Sequence, residues 1–203
     1  MKNLGISEEL IDALLETANL GIGRAAASLS ELTGRAVEIQ VPELAILGAD
    51  EPVKMADLRN GTVLRVAQRF SKGLEGHTLL LLNDSGAKRV ARLVLGEEMD
   101  AETFGESEQS ALLELCNIMI NGVMGSLANQ LKFSLVYDVP FLDLKGVTDF
   151  GDLVLDLLAN RTGKVVFMRA TLKISAETVH GDIVMVLDET NFQLLLSRLE
   201  QNL

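Results

Sequence analysis

An internal repeat is the feature of this sequence that most constrains its fold. The stretch "LLETANLGIG" at residues 14–23 is matched 98 positions later by "LLELCNIMIN" at residues 112–121. At this spacing residues 12–44 align with residues 110–142 without a gap. Further along, "GHTLLLLNDSGAKRVARLV" from residue 76 resembles "GDIVMVLDETNFQLLLSRL" from residue 181. A period of about a hundred residues is too long for a solenoid, so the sequence predicts two fused copies of one small unit.

Both copies predict the same order of secondary structure. A long helix opens each copy, and we place its N-cap at Ser7 in the first and at Ser107 in the second, with glutamate in the first turn. A strand ended by a proline follows, then a hairpin of two strands and a closing amphipathic helix. The predicted bounds are 7–32 and 107–131 for the opening helices, 36–41 and 134–139 for the strands, and 62–70 with 77–82 and 164–172 with 182–187 for the hairpins. Between strand and hairpin, residues 48–61 are predicted as mostly loop and residues 150–160 as an extra short helix.

These elements predict a single α/β domain of the α+β type. The hairpin connections are short, which favours a mostly antiparallel sheet. A chain of 203 residues is long enough to bury roughly 70% of its unfolded surface. We therefore expect one domain over residues 1–203, with duplicated halves at about 6–98 and 104–203. Pseudo-twofold symmetry is expected to relate the halves, with the long helices packed on the sheet.

A polar row runs beside the apolar stripe of the opening helix. Asp12, Glu16 and Asn19 are four and three residues apart, so they lie along one side of the helix, and small residues at 23, 27 and 30 continue the row. Small residues are poor choices for a helix face that only contacts water, because glycine costs roughly 1 kcal/mol relative to alanine in a helix interior. The rows therefore predict a shallow track that another protein can approach. In the second copy the row is repeated by Ser110, Glu114 and Asn117.

Composition excludes several classes of ligand. Lys and Arg number 18 against 29 Asp and Glu, for a net charge of -11, so we expect neither nucleic acid nor an anionic membrane as partner. The sequence shows no signal peptide and no apolar run of membrane-spanning length, and its single cysteine cannot form an internal disulfide. We expect a cytoplasmic protein. The neighbours of Cys116 at helical spacing are apolar, which favours a buried core residue over a nucleophile.

The two polar rows carry a family signature. Their spacing fits the D/S-x3-E-x2-N-x22-P pattern of the CheC, CheX and FliY chemotaxis phosphatases, which this chain resembles over nearly its whole length. The run "NLGIGRAA" from residue 19 is similar to the N-I-G-x-G-x-A run of that family. In "NIMING" the chain departs from the pattern, because Asn121 stands where we expect glycine in the second site. This residue would either crowd a partner or add a contact, so the two sites are expected to differ in rate.

The resemblance implies hydrolysis of the aspartyl phosphate on phosphorylated CheY, a response-regulator receiver. The asparagines would orient the attacking water, and the glutamates would pair with a lysine of the receiver. The receiver brings Mg²⁺, so we expect the chain to have no cofactor of its own, and CheD is a further expected partner. The catalytic residues implied are Glu16, Asn19, Glu114 and Asn117. The supporting residues are Asp12, Ser110, Pro42 and Pro140, of which the prolines are expected to shape the fold.

Other interpretations of the sequence were weighed against this one. The alternative function is a non-catalytic chemotaxis adaptor that binds CheD or flagellar switch components. His77 and His180 lack a Cys, His or acidic partner at ligand spacing, so no metal site is predicted. A carboxylate pair of Asp12 and Glu16 is rejected because the second copy replaces the aspartate with serine. The "GIG" at residues 21–23 lies within a helix, which excludes a phosphate loop.

Overall fold

The structure, a computed structural model, describes residues 6–48, 63–96, 104–144, 150–158, 162–174 and 176–202. These residues form five helices and seven strands. The first half comprises α1 (Glu8–Thr33), β1 (Val37–Gly48), β2 (Val63–Ser71), β3 (Gly76–Asn83) and α2 (Asp84–Leu95). The second half comprises α3 (Glu106–Leu131), β4 (Val136–Tyr137), β5 (Phe141–Asp143), α4 (Phe150–Leu157), β6 (Gly163–Ile174), β7 (Glu177–Asp188) and α5 (Glu189–Glu200).

The seven strands join one antiparallel sheet in the order β1-β6-β7-β3-β2-β4, with β5 also paired to β2. Each half sends its opening strand to the hairpin of the other half. Strand β1 pairs with β6, whereas β4 and β5 pair with β2. A twofold arrangement of two similar halves gives this exchange, so the topology is compatible with the predicted duplication. The predicted single α+β domain with an antiparallel sheet is confirmed.

The sheet is buried on both faces. The main core lies under α1, α2, α3 and α5, and a smaller core lies on the opposite face under α4. Successive residues of a strand point to opposite faces, so Leu80 and Leu82 enter the main core while Leu79 and Leu81 enter the smaller one. The central strands therefore read as continuous apolar runs instead of alternating ones.

The two opening helices begin differently. The Ser7 hydroxyl accepts a hydrogen bond from the Leu10 N–H at 3.3 Å, which confirms the predicted N-cap of α1. The prediction of Ser107 as N-cap is wrong, because α3 begins at Glu106 with Gly105 as its cap. The Glu108 carboxylate accepts a hydrogen bond from the Gly105 N–H at 2.9 Å. This side chain reaches back to the cap, so the helix begins there without a serine hydroxyl.

The prediction that a proline ends each opening strand is wrong. Strand β1 continues beyond Pro42 to Gly48 and pairs with β6 on both sides of a register shift between Gln40 and Glu43. Proline has no N–H to donate to a ladder, and the bulge removes it from the pairing without ending the strand. In the second half the predicted strand shrinks to β4, and β5 lies beyond Pro140.

The remaining predicted elements are found. The two hairpins and the closing helices are confirmed, and α4 is the extra short helix. Gly48 ends β1, and the rest of the predicted loop at 48–61 lies outside the described residues. Helix α3 is long and apolar enough to cross a membrane, the one such helix in the described part of the chain, so the sequence-based expectation of no such run overlooked it. In this fold 61% of its apolar window is buried, and it packs as a core helix.

Candidate functional site

The polar rows lie on the surface of α1 and α3, and their glutamates are unpaired. Glu16 and Glu114 are exposed, and neither has a hydrogen bond or ion pair within the described residues. Asp12 and Ser110, one turn earlier, are exposed as well. An exposed carboxylate without an internal partner contributes little to the fold, so both glutamates are available to a cation on another molecule.

Helices α1 and α3 cross at two glycines. A Cβ added to Gly21 would collide with the carbonyl oxygen of Gly122, and a Cβ added to Gly122 would lie 2.7 Å from the carbonyl oxygen of Gly21. Across the same interface, the Thr17 hydroxyl lies 2.6 Å from the Gln130 Oε1. The crossing therefore holds the two helices that carry the candidate sites at close range. Gly23, in the polar row itself, has open space around it, as the shallow track requires.

Asn19 binds the backbone of β1 with both ends of its amide. Its Nδ2 donates to the carbonyl oxygens of Leu15 and Val41, each at 3.1 Å, and its Oδ1 accepts from the Val41 N–H at 3.1 Å. Val41 lies in the bulge, where it has no partner on β6. Asn19 thus replaces the hydrogen bonds to β6 that Val41 loses because it lies in the bulge. In the first copy the spacing from Asn19 to Pro42 has a structural cause, because the bulge beside Pro42 must reach this asparagine.

Asn117 is held differently. Its Oδ1 accepts from the Asn121 Nδ2 at 2.9 Å and from the Gln68 Nε2 at 3.4 Å. Gln68 is a residue of β2 that also donates to the Asp138 carbonyl oxygen at 2.9 Å. The interrupted strand of the second half is therefore bound by Gln68, and Asn117 contacts it only through Gln68.

The two sites consequently present opposite ends of an amide. Both N–H groups of Asn19 are occupied, and one lone pair of its Oδ1 is left. Both lone pairs of the Asn117 Oδ1 are occupied, and its N–H groups have no partner among the described residues. The first site thus offers an acceptor and the second site offers donors.

The segment beside the second site is apolar and exposed. Val139 is 87% exposed and Phe141 is 61% exposed, whereas Val41, the residue that matches Val139 in the repeat, is 2% exposed. Asn19 draws Val41 into the fold through its two backbone hydrogen bonds, and no described bond does so for Val139. The second site therefore has an apolar rim on its strand segment, formed by Val139 and Phe141, whereas the exposed apolar side chain beside Asn19 is Leu20 of α1.

Outside the two polar rows, the cysteine and the two histidines form no further site among the described residues. Cys116 is fully buried, and burial raises the pKa of its thiol, so it is an inert core residue as predicted. His180 lies 3.3 Å from the Thr171 hydroxyl, while burial and the Arg69 guanidinium lower the pKa of His77. No group of three His, Cys, Asp or Glu in the described ranges is placed to hold a metal.

Gln68 is the site residue that sequence reasoning missed. It lies on a strand far from both helices in the sequence, and the repeat gives no signal for it. Gln68 of β2 faces the interruption between β4 and β5. The residue at the corresponding place in β6, opposite the bulge of β1, is Ala170. A residue that differs between the copies cannot be found by comparing them.

No protein-family model matches the chain. The chain is 31% identical to the CheY-P phosphatase CheC of Bacillus subtilis over 143 residues, which cover 69% of this chain and 68% of that protein. The chain belongs to the CheC, CheX and FliY family. The family resemblance expected from the two signatures is thereby confirmed, and that relative is named as a CheY-P phosphatase.

Solved structures support the same fold at lower identity. FliY of Thermotoga maritima has a TM-score of 0.74 at 21% identity, and the match covers 98% of this chain and 100% of that one. A chain from the FliG–FliM complex of H. pylori has a TM-score of 0.61 at 17% identity, covering 95% of this chain and 100% of that one. At these identities the likeness shows a shared CheC-like fold and leaves activity open.

Proposed function

We propose that this chain is a cytoplasmic hydrolase that removes the aspartyl phosphate of a phosphorylated CheY-like receiver. Two sites carry the activity, Glu16 with Asn19 and Glu114 with Asn117. The observation that supports this most directly is that each exposed glutamate has no hydrogen bond or ion pair among the described residues and stands one helical turn from an asparagine held in a fixed orientation. The likeness to a CheY-P phosphatase over two thirds of the chain supports the same reaction class.

The chemistry asks little of the phosphatase. Hydrolysis of an acyl phosphate needs a water in line with the leaving carboxylate, and it needs the charge on the phosphoryl oxygens neutralised. The receiver contributes Mg²⁺ and a lysine for that charge, so no cofactor is assigned to this chain. What remains for the phosphatase is to position the water and to hold the two proteins in register.

The asparagines are assigned the positioning of the reacting groups. The free lone pair of the Asn19 Oδ1 accepts a hydrogen bond from the attacking water, and the hydrogen bonds to Val41 keep this oxygen in place. At the second site the free N–H groups of Asn117 donate to the water or to a phosphoryl oxygen, which positions them for in-line attack. The two sites therefore act on the same reaction with different atoms.

The glutamates are assigned the docking of the receiver. Each carboxylate pairs with the receiver's lysine in a charge-assisted hydrogen bond, which sets the helix across the phosphorylated aspartate. The acidic chain, with a net charge of -11, favours a basic group on the partner. Asp12 and Ser110 lie one turn away on the same faces and are assigned supporting contacts.

The test is the decay of phosphate on a CheY-like receiver in the presence of Mg²⁺. We expect Glu16→Ala and Glu114→Ala each to remove part of the activity, and the double variant to lose it by a factor on the order of 10². Glu31→Ala is the matched control, because Glu31 is an exposed glutamate of α1 about 22 Å along the helix from Glu16. A double variant as active as the wild type would show that the assignment of the glutamates is wrong.

A non-catalytic adaptor that binds CheD or flagellar switch components is the second candidate. The fold it shares with a chain of the FliG–FliM complex favours this function. The structural role of Asn19 also gives the first signature a reason to persist without catalysis. If the wild type leaves every tested phosphorylated receiver at its spontaneous decay rate, and binds FliG-like or CheD-like proteins instead, the adaptor function replaces the phosphatase.

A further inference from the structure

We propose that Gln68 is the positioning residue of the second site, because it determines which end of the Asn117 amide faces a docked receiver. This inference rests on the proposed function of that site. Gln68 does not touch the receiver, because this residue of β2 is only 3% exposed and its side chain packs against the segment that contains Asp138. It acts through Asn117.

The orientation of the amides follows from one backbone carbonyl. The Asp138 carbonyl can only accept, so the nitrogen of Gln68 must face it, at 2.9 Å. The same nitrogen lies 3.4 Å from Asn117, which therefore turns its oxygen toward Gln68. Asn121 donates to this oxygen from the other side at 2.9 Å. The N–H groups of Asn117 are left pointing away from both neighbours.

The first site lacks this device. Ala170 stands opposite the bulge of β1, and its methyl group cannot bind the bulge backbone. Asn19 binds the bulge backbone itself, and both of its N–H groups donate, one to the Val41 carbonyl and one to the Leu15 carbonyl. The residue opposite the bulge or interruption thus decides whether the asparagine N–H groups bind the fold or stay free to donate to a receiver.

The bond to Asp138 stabilises the interrupted strand, but it engages only the nitrogen end of the Gln68 amide. Its Oε1 is buried without a hydrogen-bond partner among the described residues, as is the Oδ1 of Asn121. An unsatisfied buried acceptor is unfavourable, and an apolar side chain of the same size would remove it. The glutamine is therefore explained by the hydrogen bond that it donates.

The experiment separates the two sites on one molecule. Glu16→Arg silences the first site and Glu114→Arg the second, because each replaces the docking carboxylate with a charge that repels the receiver's lysine. Gln68→Met keeps the volume and removes the donor. In the Glu16→Arg background we expect Gln68→Met to lower kcat about tenfold with KM unchanged, a loss of about 1.4 kcal/mol in transition-state stabilisation. In the Glu114→Arg background we expect no change.

A mutant cycle and a direct measurement complete the test. Adding Gln68→Met to Asn117→Ala should cause no further loss of kcat, whereas additive losses would overturn the proposal. In the wild type, NMR should show fast solvent exchange of the Asn117 side-chain N–H groups and slow exchange of those of Gln68. The reverse pattern would overturn the proposal whether or not the protein is a phosphatase, and it needs no variant to fold. If no receiver is dephosphorylated, the proposed function fails while the NMR result still decides the role of Gln68.

Discussion

Asn19 and Val41 exchange two hydrogen bonds across the gap between α1 and β1, each at 3.1 Å. The family signature predicts that Asn19 is catalytic, and the same residue holds a strand bulge in place. At the second site the two tasks are divided, since Gln68 binds the interrupted strand and Asn117 is left to face the solvent side. The two sites differ in structure although both contain a glutamate and an asparagine at the same spacing.

The asparagines should differ in their effect on stability. We expect Asn19→Ala to lower the free energy of unfolding by about 2–3 kcal/mol, because it leaves the N–H and carbonyl of Val41 without partners. Asn117→Ala should lower it by about 1 kcal/mol or less, since Gln68 keeps its bond to Asp138. Urea denaturation measures both. Asn19→Asp turns a carboxylate oxygen toward the carbonyl oxygens of Leu15 and Val41 and should be no more stable than Asn19→Ala, and equal losses for the two alanine variants would contradict this account.

Two neighbouring glycines of α1 should respond to alanine in opposite directions. Gly21→Ala drives a methyl group into the carbonyl of Gly122 and should destabilise the protein by about 1–3 kcal/mol or more. Gly23→Ala meets open space in an exposed helix and should stabilise it by about 0.5–1 kcal/mol. Thermal unfolding of the two variants gives the comparison. A similar change for both would mean that the helices do not cross at Gly21.

His77 should make the protein less stable in mild acid. Burial lowers the pKa of His77, the Arg69 guanidinium lowers it further, and Asp138 opposes them. The unfolded chain takes up a proton at this residue near pH 6.5 while the folded chain resists it, so the free energy of unfolding falls as the pH drops through about 6.5 and below. Urea denaturation at several pH values between 5.5 and 7.5 should show a smaller decline for His77→Gln than for the wild type. Parallel declines would remove His77 as the cause.

The apolar rim should affect binding at the second site only. Val139 and Phe141 are exposed beside the segment that Gln68 ties to Asn117, so a receiver docked on Glu114 would cover them. We expect Val139→Ser with Phe141→Ser to raise KM several-fold in the Glu16→Arg background without loss of stability, because exposed side chains contribute little to folding. The same pair in the Glu114→Arg background is the control. A rise in KM there as well would indicate a general effect on the fold.

The boundaries that the sequence misplaced have local physical causes. A serine hydroxyl at position 107 is the predicted cap of α3, yet the helix begins at Glu106, and Glu108 accepts a hydrogen bond from the Gly105 N–H from inside the helix. The sequence predicts that the first opening strand ends at Pro42, yet a bulge lets β1 continue past it. In both cases the backbone can be accommodated in a second way, by a glutamate at the cap or by a bulge at the proline, and residue type does not distinguish the alternatives.

The sequence by itself determined the elements, the α+β class, the surface position of both polar rows and the family. These depend on periodicity and spacing, which a helix or strand imposes on nearby residues whatever the rest of the chain does. Only the tertiary structure decided how each half lends its opening strand to the other, and how this brings Gln68 to Asn117 and leaves Ala170 at the corresponding place. Hydrogen bonds between distant residues are set by the packing of the whole fold. The two signatures therefore predict two related sites that differ in rate, and the fold gives their asparagines different hydrogen-bond partners.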